Sequence, residues 1–548
     1  MKKFLFILVL ISCFNSFAQD DDAVVYFKNK LNTATFIANP LTMLTQRALD
    51  RRTAQNIALD ATDVPITQSY IDQILMQNTV MVLAKSKWLN CIYVRGFQAD
   101  INLLKTLPFV ESVSFLDNSM NLVANQPIIH NTSRPINGLE PVNKVLSTLS
   151  TFNYGTSFNQ IHMMNGEILH QQNFTGSGKI IAVLDAGFPG VDTAQPFARL
   201  LTNNAILGGY DFVNKSTNFY TGNDHGTLVL SCMGGFKDNQ LVGTAPDAKY
   251  YLFITEDVAS ENPVEEANWV EAAEEADRLG VDVITTSLGY FGFDNPAYSH
   301  SYSDMIGNKN YASKGVNMAF SKGIIVVASA GNEGNSSEPH VGVPGEATKA
   351  LAIGAVQANR NRAGFSSIGP SFDNRVKPDL MAQGQASIVS STSGTITNAN
   401  GTSFSGPILA GMIASFWQAV PTMTNQQVID LVKQSADKFS TPDNNYGYGI
   451  PNFQLALSAA LPNENFVFNT NKNFVFAPNP ANDKLNISFP NDINKAKISL
   501  SNVLGQVVFQ DEISTSSAAI NVSTFNAGVY FYSIESNDFK QSGKIIKN

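Results

Sequence analysis

The chain has 548 residues, 44% of them hydrophobic and 15% charged, a balance that describes folded globular domains and excludes a disordered or fibrous chain. Its formal net charge is −9 and no run of Lys or Arg occurs beyond the N-terminus, which argues against a nucleic-acid or anionic-membrane partner. The length leaves room for about two to four domains.

Residues 1–18 open with Lys2 and Lys3, continue as an apolar run from Phe4 to about Phe14, and close on Ser16-Phe17-Ala18, the small-x-small pattern of a signal-peptide cleavage site. The apolar run is too short for a membrane span, which needs about 20 residues. A rival reading takes "LISC" as a lipobox with Cys13 as the lipidated anchor. Cys91 and Cys232 remain after the signal and fall in different blocks, so no structural disulfide is expected.

From about 23 to 117, "AVVYFKNK", "VMVLAKS", "WLNCIYVRGF" and "FVESVSFL" read as strands, with a helical "DINLLKTL" before the last, which makes a small α+β unit. Residues 118–152 have no steady period and read as a linker. From about 153 to 460 short apolar strands ("IIAVLDAG", "YYLFITE", "VDVITTSLG", "GIIVVASAGN") alternate with helices ("HGTLVLSCMGG", "PVEEANWVEAAEEADRLG", 311–322). That alternation predicts βαβ units and a doubly wound, mostly parallel sheet with helices on both faces. Residues 474–548 show only short, closely spaced strands and predict a small β-sandwich.

In a parallel sheet of this kind ligands sit at the carboxyl ends of the strands. Those ends carry Asp185, Ser287-Leu288-Gly289 and Asn332, while His225 and Ser403 stand at the starts of helices. A serine hydroxyl is a poor nucleophile until an imidazole takes its proton, and the imidazole must be held by a carboxylate. Asp185, His225 and Ser403 suit those roles, although Ser403 in "NANGTSFSGPILAG" also suits a helix cap. Cys232, two helical turns after His225 in an apolar setting, reads as a buried small hydrophobe. His130, His162, His170, His300 and His340 lack the helix-opening "HGT" context and read as structural.

"IAVLDAGF", "HGTLV", "SLG", "ASAGNEG" and "GTSFSGP", supported by "GTAPDA", "VPGEATKALAIGAV", "FSSIGP", "VKPDLMAQG" and "YGYGIPN", resemble in order and spacing the subtilisin-like serine proteases. The resemblance implies a serine endopeptidase acting on protein or peptide substrates, with Asp185 as orienting acid, His225 as general base, Ser403 as nucleophile and Asn332 as oxyanion donor. It implies that the backbone of Ser287, Leu288 and Gly289 pairs with substrate as an added strand. Gly331 and Gly342 are expected to line the specificity pocket, with Glu333 either at its rim favouring a basic side chain or exposed at the surface without effect. No cofactor is required for this chemistry. Calcium is common in the family, but no loop here has regular acidic spacing, so no metal ligand is assigned. Phe404 replaces the methionine usual after the serine, and Ser405-Gly406 leaves Pro407 in what is expected to be the first turn of the helix.

The block at 23–117 is similar to the family's propeptides, which implies an inhibitory partner within the same chain, cut off between Asn118 and Asn153. "APNPANDKLNISF", "SLSNVLGQVVF", "NAGVYFYSI" and "GKIIKN" resemble the sorting domains of the Bacteroidota type IX secretion system. That implies an outer-membrane export partner and a location outside the cell or on its surface, reached through the periplasm. A carbohydrate- or protein-binding module is the alternative for this block, and with it a catalytically silent scaffold serving adhesion. An esterase is a weaker alternative, because the serine lies in Gly-x-Ser-x-Ser and not in the Gly-x-Ser-x-Gly elbow.

Overall fold

The computed structural model describes residues 20–120, 152–460 and most of 474–547. The signal segment and all of the linker but residues 118–120 and 152, His130 and most of the expected cleavage region included, lie outside the described residues. The chain forms two compact units, one up to Leu461 and one from Pro462 on.

The first unit begins with an antiparallel sheet of β1 (Asp20–Phe27), β2 (Val80–Ser86), β3 (Cys91–Phe97) and β4 (Val110–Phe115), in the order β2-β3-β1-β4. Between β1 and β2 lie α1 (Gln46–Ala54) and α2 (Gln68–Leu75), and α3 (Gln98–Leu103) follows β3. The helical "DINLLKTL" is found as α3 and the turn after it. Neither α1 nor α2 was read from the sequence: α1 has no apolar stripe and buries Arg51 and Arg52 instead, whereas α2 does bury an apolar face, Tyr70, Ile71 and Ile74, over only two turns.

The sheet of the larger part holds β5 (Ile180–Asp185), β6 (Ile206–Asp211), β7 (Lys249–Ile254), β8 (Val283–Thr286), β9 (Ile325–Ser329), β10 (Ala350–Val356) and β11 (Leu380–Gln383). Their order is β11-β10-β9-β8-β5-β7-β6, and every pairing is parallel. Side chains alternate across a strand, so β5 sends Ile181 and Val183 into one core and Ile180, Ala182 and Leu184 into the other. On the first face lie α4 (His225–Gly234) and α7 (Thr402–Ala419); on the second lie α5 (Val264–Leu279) and α6 (Tyr311–Ser321). The doubly wound sheet expected from the sequence is present. Gly280, with φ of 82°, ends α5 in the left-handed conformation as its place after the apolar pattern predicts.

Helix α7 is buried at every residue from Thr402 to Trp417. Side chains such as Ile408, Leu409 and Ile413 contribute about 1.5–3 kcal/mol each on burial, so the start of α7 is fixed by its whole length. Cys91 and Cys232 are both buried and free.

The small α+β domain packs on α5 through charge. Arg51 and Arg52 both reach Asp277, and Arg52 also meets Asp63 at 2.9 Å. Glu274 accepts hydrogen bonds from the Ser86 hydroxyl at 2.6 Å and from the N–H groups of Lys87 and Trp88 at 3.0 and 2.9 Å. The arginines are ion-paired and Glu274 is hydrogen-bonded, which is what makes their burial tolerable.

The second unit contains β12 (Val475–Ala477), β13 (Lys484–Ser488), β14 (Lys495–Asn502), β15 (Val507–Ser514), β16 (Ala519–Asn521), β17 (Gly528–Ser536) and β18 (Phe539–Lys547). They make two antiparallel sheets, β12-β13-β16 and β15-β14-β17-β18, around a core that includes Leu485, Ile498, Leu500 and Ile534. This is the sandwich expected from the sequence.

Candidate active site

Asp185 is the last residue of β5 and is fully buried. Its Oδ1 accepts the N–H of Ala186 at 2.8 Å and meets Nδ1 of His225 at 2.7 Å. His225 is the first residue of α4, and Gly226 explains how close that helix comes. A Cβ on Gly226 would lie 2.4 Å from the Gly187 oxygen and 3.0 Å from the Asp185 Cβ. The Asp185 charge raises the pKa of His225 above its ordinary value, against a smaller opposing effect of burial.

Ser403 is the second residue of α7 and 8% exposed. Gly401, with φ of 153°, occupies the cap position and no side chain caps the helix, so Ser403 is not its cap. The Ser403 Oγ stands 3.5 Å from the Ser287 carbonyl, at the outer limit of a hydrogen bond. No hydrogen bond joins it to His225 among the described residues, a contact that often tightens only when substrate is bound.

Pro407 falls in the second turn of α7 rather than the first, because the helix starts at Thr402. Having no N–H, proline cannot donate to the carbonyl four residues earlier, which is that of Ser403. The Ser287 hydroxyl donates to this carbonyl instead, at 2.9 Å. A proline that would weaken another helix thus ties the 287–289 segment to the serine.

Asn332 follows β9, and its Oδ1 accepts the Thr402 N–H at 2.9 Å and the Thr402 hydroxyl at 3.1 Å. The same hydroxyl accepts the Gly331 N–H at 3.1 Å. With its oxygen so engaged, the amide turns its Nδ2 away from Thr402. Helix-start N–H groups, that of Ser403 among them, have no partner inside the helix and lie beside a positive dipole end.

A cavity of about 100 Å³ opens next to these groups, lined by Gly289, Gly331, Gly342, Glu333, Glu338 and His340 among others. Of the predicted pocket residues, Gly331, Gly342 and Glu333 are in its wall together with Gly289; Ser287 and Leu288 are not. Leu288 packs against the core on the α5 face. Glu338 and His340 were missed, since nothing in "SSEPH" marks the far wall of a pocket. The His340 ring stacks on Tyr302 at 3.8 Å, and burial lowers its pKa despite Glu338. A neutral His340 leaves Glu333 and Glu338 to set the charge of the wall.

Phe404 is 5% exposed, and its ring centroid lies 6.1 Å from that of His225. No thioether stands at this position to form a sulfoxide. Activity is therefore expected to survive peroxide better than in relatives with methionine there; rapid loss at low peroxide would contradict this.

Residues 176–449 match the subtilase family, residues 22–133 the Bacteroidota peptidase S8 propeptide domain, and residues 475–548 the secretion system C-terminal sorting domain. The chain is 32% identical over 300 residues to subtilisin NAT of Bacillus subtilis subsp. natto, covering 54% of this chain and 70% of that protein. Identity to the subtilisin of Bacillus pumilus is also 32%, over 54% of this chain and 97% of the relative. With subtilisin BL of Lederbergia lenta it is 30%, over 52% and 93%.

Fold and matches together define a serine endopeptidase made with its own propeptide domain and with a type IX sorting domain that directs it to the cell surface or beyond. The chain belongs to the subtilase family.

Proposed function

We propose that the protein cleaves peptide bonds by acyl transfer, with Ser403 as nucleophile, His225 as the base that takes its proton, and Asp185 as the carboxylate that fixes the imidazole. The observation that carries this reading is the 2.7 Å contact between Asp185 Oδ1 and His225 Nδ1 at the carboxyl edge of the sheet. With Nδ1 engaged, Nε2 is the nitrogen left to serve the serine. His225 then returns the proton to the leaving amine, and water repeats the sequence on the acyl-enzyme.

The negative oxygen of each tetrahedral intermediate is held by the Ser403 N–H and the Asn332 Nδ2, whose direction Thr402 sets through the other end of the amide. Asn332→Ala should lower kcat by about 10² to 10³, the size that loss of this donor has in subtilisin, with little change in KM. Equal loss in both constants would remove Asn332 from the role. Residues 287–289 are the edge on which the substrate lies as an added strand, with Gly331 and Gly342 giving room for the side chain before the scissile bond.

Two carboxylates and a neutral imidazole in the pocket wall favour Lys or Arg at that position. The precursor divides into a propeptide at about 23–117, a linker with the maturation site at 118–152, a peptidase domain at about 153–460 and a sorting domain at 474–548. Sequencing the peptides released from a mixed protein digest tests activity and preference together. Cleavage concentrated after Lys and Arg is expected, and cleavage indifferent to charge would overturn the assignment of the pocket.

A further inference from the structure

Beyond β7 the chain runs through a loop into α5, and the loop and the first turn of α5 gather three carboxylates. The oxygens of Glu256, Glu261 and Glu265 lie within 4.8 Å of one another. Glu265 is 1% exposed and closes the loop on itself, accepting the N–H of Asp257 at 3.0 Å and of Asn262 at 3.2 Å. Glu261 is fixed from the other side, where the Asp294 N–H donates to its carbonyl at 2.9 Å.

One polar atom here lacks a partner: Glu256 Oε2 is shut off from solvent with no hydrogen bond. The hydroxyl of Tyr290, a residue 1% exposed, stands at the Glu256 carboxylate. Arg95, which donates to Asn262 of this loop at 3.0 Å, is engaged with Asp22, and His300 with Glu266. A carboxylate oxygen buried without a partner beside two further carboxylates is costly, and a cation removes the cost.

The geometry points to a divalent cation of the calcium class, bound by Glu256, Glu261 and Glu265 at the head of α5. Oxygen-only donors select a hard cation, and calcium bonds of about 2.4 Å let one ion reach oxygens up to about 4.8 Å apart. A lysine side chain of a substrate would carry the right charge, but the buried Glu265 and Glu256 Oε2 give it no way in.

The ion would also act on substrate binding. Ile254, two residues before Glu256, pairs with Asp185, and Tyr290 directly follows the 287–289 edge. Filling the site braces both walls of the cleft. This last consequence rests on the proposed cleft; binding of the ion does not.

Terbium titration of the full chain carrying Ser403→Ala, which prevents self-cleavage, tests the site, because Tyr290 is placed to sensitise terbium emission. Sensitised emission that calcium competes away is expected, together with a melting temperature that rises with calcium. Glu261→Gln, at the exposed corner, and Glu256→Gln should each weaken terbium binding at least tenfold and shrink the calcium-dependent rise, with the circular dichroism spectrum unchanged. Any cation bound elsewhere contributes equally to all three proteins and cancels in the comparison. Equal terbium affinity and equal calcium response in parent and variants would overturn the proposal. So would unchanged terbium binding accompanied, when Ser403 is present, by loss of cleavage at lysine-containing peptides, which would give the cluster to the substrate.

Discussion

Ser403→Ala should reduce peptide-bond cleavage by about 10⁶, the size of the loss in subtilisin when its nucleophile is removed, and should leave the precursor with its propeptide attached. The expectation rests on what surrounds the hydroxyl. Ser403 sits in the first turn of a helix buried along sixteen consecutive residues, Thr402 to Trp417, so the change cannot be compensated by a shift of α7. Among the described residues its Oγ makes only the 3.5 Å approach to Ser287 O, and the Ser287 hydroxyl bonds the Ser403 backbone carbonyl, which alanine keeps. Stability should therefore change by no more than about 0.5 kcal/mol. Loss of activity together with a large loss of stability would mean that the serine is a packing element.

Asp185→Asn should lower kcat by about 10⁴, since an amide at this position can hold the imidazole in the wrong tautomer while keeping its place. The pH profile carries a second signature. The base must be neutral to accept a proton, and Asp185 raises the His225 pKa, so wild-type activity should fall with acid at a pH above the ordinary imidazole value of about 6.5. With asparagine the charge is gone, the imidazolium is less stable, and that limb should move to lower pH even as the plateau falls. A limb that stays in place would show that Asp185 does not set the titration of His225.

Much of this site was legible in the sequence, because strand ends and helix starts are marked by local chemistry: an apolar run ending in Asp185, a glycine-ended run before Asn332, and "HGT" and "GTS" opening helices. The connections between distant segments were not. Ser287 and Ser403 are 116 residues apart, and only their meeting shows that Pro407 frees a carbonyl for the substrate-edge segment. Helix α1 was hidden because its buried face carries Arg51 and Arg52, which find Asp277 more than 200 residues later. Glu256, Glu261 and Glu265 escaped notice because their spacing follows no metal-loop pattern; the head of α5 brings them together.

The most direct test of the central claim is labelling of the purified mature protein with a fluorophosphonate, followed by mapping of the modified peptide. One label per chain at Ser403, lost in the His225→Ala variant, is the predicted result. Intact, folded protein that takes no label, or takes it at another serine, would contradict the account.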